Sequence, residues 1–487
     1  MAQEAKGPRS PLLKSEDWWA VWIGLFIFFL GLLRMSGADL LGWAVKTNMW
    51  FNLSQALSPV SATYKNLPGF VSLLLTYVFM TAILSFGVAI MGGKVGRFIA
   101  GFTVIFWITY ACWMIGNNVY VAATPDQYAK LKITSSLRLT GEAGFVVALI
   151  AGLLIGNFWP GMVKFLQDAT KPEWFVKTAI VILGARVGLN ALHSTGLAAQ
   201  VVFRGLCAIV EAYLIYWPLV YFVARRYFKF TPEWAAPLAS GISICGVSAA
   251  IATGGAIKAR PVVPVIVSSL VVIFAVVELL ILPFAAQAWL YQEPMVAGAW
   301  MGLAVKTDGA AAASGAITDA LIRAKAASVL GVKWQEGWML MTTTTVKVFI
   351  DIFIAIWAFI LAIIWAFKIE NRQGEKISTG DIWLRFPKFV LGYAGLFILV
   401  ILIGLGVGKE GAKLLNAGVG QADTFRGIFF ALTFFTIGLM SNFKKLKEEG
   451  MGRLAVVYVV CLAGFIIWIG LFISWLFFHG ITPPVVS

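Results

Sequence analysis

The residues of this chain that could do chemistry are ionisable side chains set inside apolar stretches. Lys177 and Arg186 share one such stretch, Glu211 lies in the next, then come Glu278, Lys306 with Asp308, and Lys347 with Asp351. On insertion scales a lone charge at a helix centre in a bilayer costs about 2.5–3.5 kcal/mol. Such residues therefore face one another or a wet cavity, and they mark a functional site by default. Lys347 and Asp351 stand four apart on one helix face, where a structural ion pair is the competing interpretation. Lys177 is close enough to a span end to snorkel to the interface. Arg186 sits nearer the centre and is the better site candidate. Glu211 and Glu278 could partner these bases or carry protons, and spacing does not choose between the two.

Two further segments carry backbone chemistry. One contains Gly241-Ile-Ser-Ile-Cys-Gly246-Val-Ser248 and runs to Gly255; the other contains Gly302-Leu-Ala-Val-Lys306-Thr-Asp308-Gly309 and runs to Gly315. Glycine inside a helix costs about 1 kcal/mol relative to alanine, and neighbouring hydroxyls can satisfy backbone groups freed by unwinding. Both segments are expected to be broken helices. A half-helix that starts near the bilayer midplane aims free N–H groups and a positive dipole end at the cavity, which suits an anion. Paired breaks of this kind point to a transporter's binding site. The competing interpretation is close helix packing through small residues.

The elements that must hold these residues follow from composition. The chain has 487 residues, of which 60% are hydrophobic and 13% charged. Soluble domains are about a quarter charged, so soluble enzymes, disordered proteins and coiled coils are excluded. The net charge of +15 reads as loop charge on a membrane protein, because no basic run is long enough for a nucleic-acid surface. The fold class is all-α and polytopic, with the lipid bilayer as its environment.

About 13 spans of roughly 20 apolar residues fit the pattern: 18–33, 69–91, 99–115, 145–158, 174–192, 201–223, 235–257, 262–286, 296–317, 338–367, 386–407, 424–440 and 454–478. The first is expected to be a retained anchor rather than a cleaved signal. Alternation with a cytoplasmic N-terminus puts about 19 bases inside and about 13 outside, with the C-terminus outside. The intervening polar segments are connectors, too short to fold independently. The expected division is a tail over 1–17, an N-terminal extension of about three spans over 18–142, a first transporter repeat over 143–290, a second half over 291–480, and a tail over 481–487.

Ile182–Asn190 is weakly similar to Phe434–Asn442 around Gly-Leu. The first copy precedes its broken segment and the second follows the other one, so a duplication would have a rearranged second half. The four cysteines are far apart and only two histidines exist. Neither a disulfide framework nor a metal site is expected, nor a cofactor or an enzymatic activity. Cys245 reads as a small packing residue rather than a redox thiol.

At these residues the chain resembles the YeiH-type sulfate exporter family of UPF0324-like membrane transporters. The resemblance rests on Gly156-Asn157 with Pro160-Gly161, on Lys177-Thr-Ala-Ile-Val-Ile-Leu-Gly-Ala-Arg186, and on Gly241-Ile-Ser-Ile-Cys-Gly246-Val-Ser248-Ala, which is the most specific. Lys347 falls where the family has a lysine opening a late helix. Together these cover roughly residues 143–480. Two features depart from the pattern. Lys306-Thr307-Asp308-Gly309-Ala310 stands where the family has a His-Asp/Glu-x-Ala-Gln motif, and the N-terminal extension is longer than the common form.

The resemblance implies anion export and an inverted-repeat fold with crossing broken helices, similar to bile-acid symporters and cation/proton antiporters. Ser243, Cys245, Gly246 and Ser248 would form the first half-helix terminus around an oxyanion. Lys306 and Thr307 would line the opposing break, and Arg186 and Lys347 would supply positive charge. Asp308 would bind the coupling ion, a proton or sodium, with Glu211 and Glu278 as weaker candidates. A homodimer and a cell-membrane location are further expectations. The alternative is a sodium/proton exchanger using Asp308 with Lys306 or Lys347.

Overall fold

A computed structural model describes residues 11–123, 128–137, 143–193, 195–260, 262–365, 388–441 and 451–486. The protein is an all-α, multi-pass membrane protein. Nine helices among the described residues are long and apolar enough to cross a bilayer, and ten if a pair bent by 114° counts as one span.

Three of these helices precede the family-like region: α1 (Glu16–Leu32), α2 (Gly69–Met91) and α3 (Val95–Gly116). Ser15 caps α1 by accepting a hydrogen bond from the Trp18 amide, and Glu16 and Asp17 stand at its positive end. The connector from α1 to α2 carries a small antiparallel pair, β1 (Val45–Thr47) and β2 (Leu57–Pro59).

The bent pair is α4 (Ala143–Phe158) and α5 (Pro160–Leu166). It is followed by α6 (Pro172–His193) and by α7, which spans Gly196–Arg226 with a π-helical stretch at Val210–Tyr216. Next come α8 (Pro232–Ser240), α9 (Gly246–Ala256) and α10 (Val262–Trp289), then α11 (Pro294–Ala304) and α12 (Asp308–Val329). The remaining helices are α13 (Trp338–Ile364), α14 (Phe389–Gly406), α15 (Lys409–Met440) and α16 (Gly452–Phe478). The last contains a π stretch at Leu462–Ile466.

The two glycine-dotted segments are broken helices. In the first, α8 continues as a π turn over Gly241–Cys245. Cys245 is then extended (φ −140°, ψ 94°) before α9 starts at Gly246. In the second, Val305 and Thr307 are extended between α11 and α12, and Thr307 caps α12 by accepting from the Ala310 amide. The residues between these halves are buried, so their freed backbone groups need partners inside the protein.

Helix packing follows a paired scheme. α4 packs on α15 and α14 on α6, while α9 packs on α10 and α12 on α13. α7 lies against α8 much as α16 lies against α11. The tightest of these contacts have no room for a side chain. A Cβ on Gly156 would meet the Leu439 carbonyl oxygen at 2.5 Å, so Gly156 is required by close approach of backbones.

Several sequence boundaries differ. The polar residues after Ile317 do not form a connector: α12 continues to Val329. α15 begins at Lys409 rather than near Thr424. Charge pairing lets the helices carry the acids nearest those boundaries, because Asp319–Arg323 and Asp423–Arg426 neutralise each other one turn apart. The segments 366–387 and 442–450, with the basic residues assigned to inside loops, lie outside the described residues. So does Asn442 of the weak repeat.

Candidate functional site

The two breaks meet. The Gly246 amide donates to the Lys306 carbonyl at 2.6 Å, joining the first interruption to the second through the backbone. A Cβ at Gly246 would stand 2.8 Å from Val271 Cγ1 and 2.9 Å from Thr307 Cγ2. Only glycine lets the strands cross this closely.

Around the crossing lies a buried polar cluster. Cys245 Sγ donates to Asp308 Oδ1 at 2.7 Å, and Lys347 Nζ stands 3.8 Å from the same oxygen. Lys347 also donates to the Ile244 carbonyl at 2.7 Å. Asp308 therefore sits at the positive N-terminus of α12, and Lys347 at the carbonyl end of the π turn preceding α9. Each side chain compensates the dipole it faces. Asp351 completes the group: both carboxylate oxygens are buried with no hydrogen-bond partner. Cys245, Asp308 and Asp351 offer three ligand atoms within 4.8 Å of one another. With the Lys347 ammonium beside Asp308, the set suits a proton or a small monovalent cation better than a divalent metal, which would be repelled by that charge.

A second polar group lies on the other side of the Lys306 backbone. The Lys306 amide donates to Glu278 Oε2 at 3.2 Å, and Tyr458 donates to Glu278 Oε1 at 2.7 Å. The Lys306 ammonium bonds the Leu303 carbonyl and lies 4.5 Å from the centroid of the Tyr216 ring. Glu211 is buried within electrostatic reach of this ammonium. Glu211 and Glu278 are thus companions of Lys306.

The sequence-derived site is gathered in part. Cys245, Gly246, Lys306, Thr307, Asp308 and Lys347 converge at the crossing, as expected of two breaks facing each other. Ser243 is buried nearby with an unpartnered hydroxyl. The Ser248 side chain lies outside the described residues. Two expectations are corrected. The Gly246 amide is not free to hold an oxyanion, because Lys306 takes it. Lys347 reaches across to Asp308 and Ile244 rather than only along its own helix to Asp351. Among the described residues, the cavity at the crossing lined by Ile180, Asp308, Thr344, Lys347, Asp351 and Phe389 has about 10 Å³, the space of about one water.

Arg186 is not at the crossing. It lines a separate cavity of about 230 Å³ with Asp319, Arg323, Glu336, Asp423 and Arg426. Sequence reasoning missed these residues because it ended the neighbouring spans too early. The i,i+4 pair Asp319/Arg323 and the i,i+3 pair Asp423/Arg426 were the available signal. Lys177 leaves the site in the opposite direction. It pairs with Asp17 at 2.7 Å and Glu173 at 3.6 Å, consistent with snorkelling. Its ammonium also lies 5.9 Å from the ring centroid of Phe389, a wall of the crossing cavity.

The family described as conserved hypothetical protein 698 matches residues 129–457. A UPF0324 membrane protein of Nitrosomonas europaea is 42% identical over 98% of this chain and 98% of its own length. Another UPF0324 membrane protein, from Rhodopirellula baltica, is 32% identical over 88% of this chain and 71% of its own. An uncharacterized protein of Archaeoglobus fulgidus is 49% identical over 30% of this chain and 88% of its own. No solved structure matches the chain. The broken-helix core thus falls within the matched residues, and the chain belongs to the UPF0324 family of membrane proteins.

Proposed function

We propose that the protein is a secondary active transporter of a small anion, with sulfate or a related oxyanion as the leading candidate and export as its direction. It would work by alternating access around the crossing. The observation that carries this is the backbone bond from Gly246 to Lys306, which joins two interrupted helices amid buried Asp308, Asp351, Lys347 and Cys245. Buried ionisable residues in a membrane core are costly and mark ion and substrate pathways. In this reading the nine continuous helices combine with the bent pair, α6 and the two broken segments to give about 13 spans. The packing pairs then reflect an inverted repeat whose second copy starts at α14 and closes with α11–α13. The π stretches of α7 and α16 fall at equivalent places in that scheme. The N-terminus is cytoplasmic and the membrane is the cell membrane.

Asp308 and Asp351 are the coupling pair. Two carboxylates beside a thiol and one ammonium cannot all be charged in a dry site, so a proton or sodium ion completes the group. The polar groups at the crossing are spent on binding and charge balance.

A second reading, cation/proton exchange, is favoured by one observation. Glu211, Glu278, Asp308 and Asp351 outnumber Lys306 and Lys347 around the crossing. Purified protein in proteoliposomes separates the two. Uptake of labelled sulfate, sulfite, thiosulfate or a small carboxylate, driven by a pH or sodium gradient and abolished in Asp308→Asn, supports anion transport. Sodium/proton exchange that proceeds with no permeant anion supports the second reading and refutes the first.

A further inference from the structure

The cavity containing Arg186 lies on the same helices as the crossing, one turn away. On α6, Ile180 lines the crossing and Leu183 and Arg186 line the cavity. On α12 the corresponding residues are Ala312, then Ala316 and Asp319. On α13 they are Thr344, then Leu340. Three to four residues of helix are one turn, about 5.4 Å. The larger cavity is therefore a vestibule stacked on the crossing, and one layer of side chains closes it off.

Its charges do not cancel. Arg323 is held by Asp319 at 2.7 Å, and Asp319 also accepts from the Gly337 and Met339 amides at the start of α13. Glu336 stands 3.9 Å from Arg323. Arg426 is paired with Asp423. These contacts use all three acids of the vestibule. Arg186 is left without a carboxylate of its own among the described residues, and the acid in its electrostatic reach, Asp423, already serves Arg426. Lys46 adds a further cation at the rim.

The outer wall comes from the N-terminal extension. Val45, Lys46 and Thr47 of β1 and Tyr110 and Trp113 of α3 line it, and Thr47 and Tyr110 share a hydrogen bond of 2.7 Å. The volume of about 230 Å³ has room for several waters, enough for a small anion with part of its hydration shell.

We propose that this vestibule is an anion-docking station, in which a small oxyanion pairs with the guanidinium of Arg186, nearly two turns along α6 from the crossing, behind a wall supplied by the N-terminal extension. A planar guanidinium offers parallel donors to two oxygens of one ligand, which a lysine cannot. The proposal rests on the transporter reading; with a cytoplasmic N-terminus the α1–α2 connector is on the outer side, so this is the station an exported anion occupies before release.

Equilibrium binding of labelled sulfate, sulfite and thiosulfate to the full chain in detergent tests it, alongside flux in proteoliposomes. Wild-type protein is expected to bind at least one of these probes. Asp308→Asn should lose flux and keep binding. Arg186→Gln should weaken binding at least tenfold, and Arg186→Lys should recover part of it. Gly420→Leu should block both, because Gly420 lines the vestibule; a Cβ there meets nothing within 4 Å, and an unchanged melting temperature checks that the variant is folded. Unchanged affinity in Arg186→Gln overturns the proposal, as does loss of binding in a folded Asp308→Asn protein or the failure of all three probes to bind. Anion flux with intact binding in Arg186→Gln sinks the vestibule alone. Sodium/proton exchange without any anion sinks the transport reading beneath it.

Discussion

The ion pair at the crossing gives the sharpest quantitative prediction. Lys347 Nζ stands 3.8 Å from Asp308 Oδ1, and both side chains are about 95% removed from solvent. At that distance an effective dielectric of about 20 gives an attraction of about 4 kcal/mol. Removing one partner of a buried pair costs about 3–5 kcal/mol, because the other charge is left uncompensated. Lys347→Met should lose this much, plus roughly 1–3 kcal/mol for the Ile244 carbonyl that loses its charged donor. Lys347→Met with Asp308→Asn should recover most of the first contribution and none of the second, since Ile244 stays unpaired in both. The double-mutant cycle therefore isolates a coupling of about 3–5 kcal/mol. Thermal unfolding of the detergent-purified variants at fixed pH measures it. Additive single effects, with coupling within about 0.5 kcal/mol of zero, would show that Lys347 and Asp308 do not share the site as described.

Other perturbations act on neighbouring groups. Gly246→Ala should cost about 1–3 kcal/mol of stability through overpacking against Val271 and Thr307; flux should fall, and wild-type flux would contradict the close crossing. Tyr458→Phe removes the donor to Glu278 Oε1 and should destabilise by about 1–3 kcal/mol, read as a lower melting temperature. In the α1–α2 connector, burial opposes ionisation of Asp39, but hydrogen bonds from Ser61, Thr63 and Gln421, together with Arg34, hold its carboxyl below the usual aspartate range. A lowered folded pKa means that its contribution is present above the ordinary value and lost as pH falls through the lowered one. Wild-type protein should thus shed stability at acidic pH below about 4, and Asp39→Asn should flatten that slope; an unchanged slope would remove Asp39 as its source.

The membrane character and both helix breaks were legible in the sequence. About 20 apolar residues leave few structural options, and glycines set beside small hydroxyl residues mark where a helix can unwind. Lys306, Thr307 and Asp308 were recognisable because buried charge at a break is costly and must be compensated nearby. Asp319, Arg323, Asp423 and Arg426 were not recognised, because hydropathy ends a span at a charge while the folded chain carries the helix on by pairing that charge one turn away.

What the sequence determined by itself was therefore which residues are too costly to leave alone in lipid. Which of them meet was decided by the tertiary structure. Arg186 and Lys347 look equivalent along the chain, yet they lie in different compartments. The register of α6 against α12 and α13 sends Ile180 to the crossing and Arg186 nearly two turns beyond it. Helical periodicity fixes the face a side chain takes within its own helix. The depth at which that face meets another helix depends on where the backbones can close, and here glycines such as Gly246 and Gly156 set that depth by leaving room for a carbonyl where any side chain would stand.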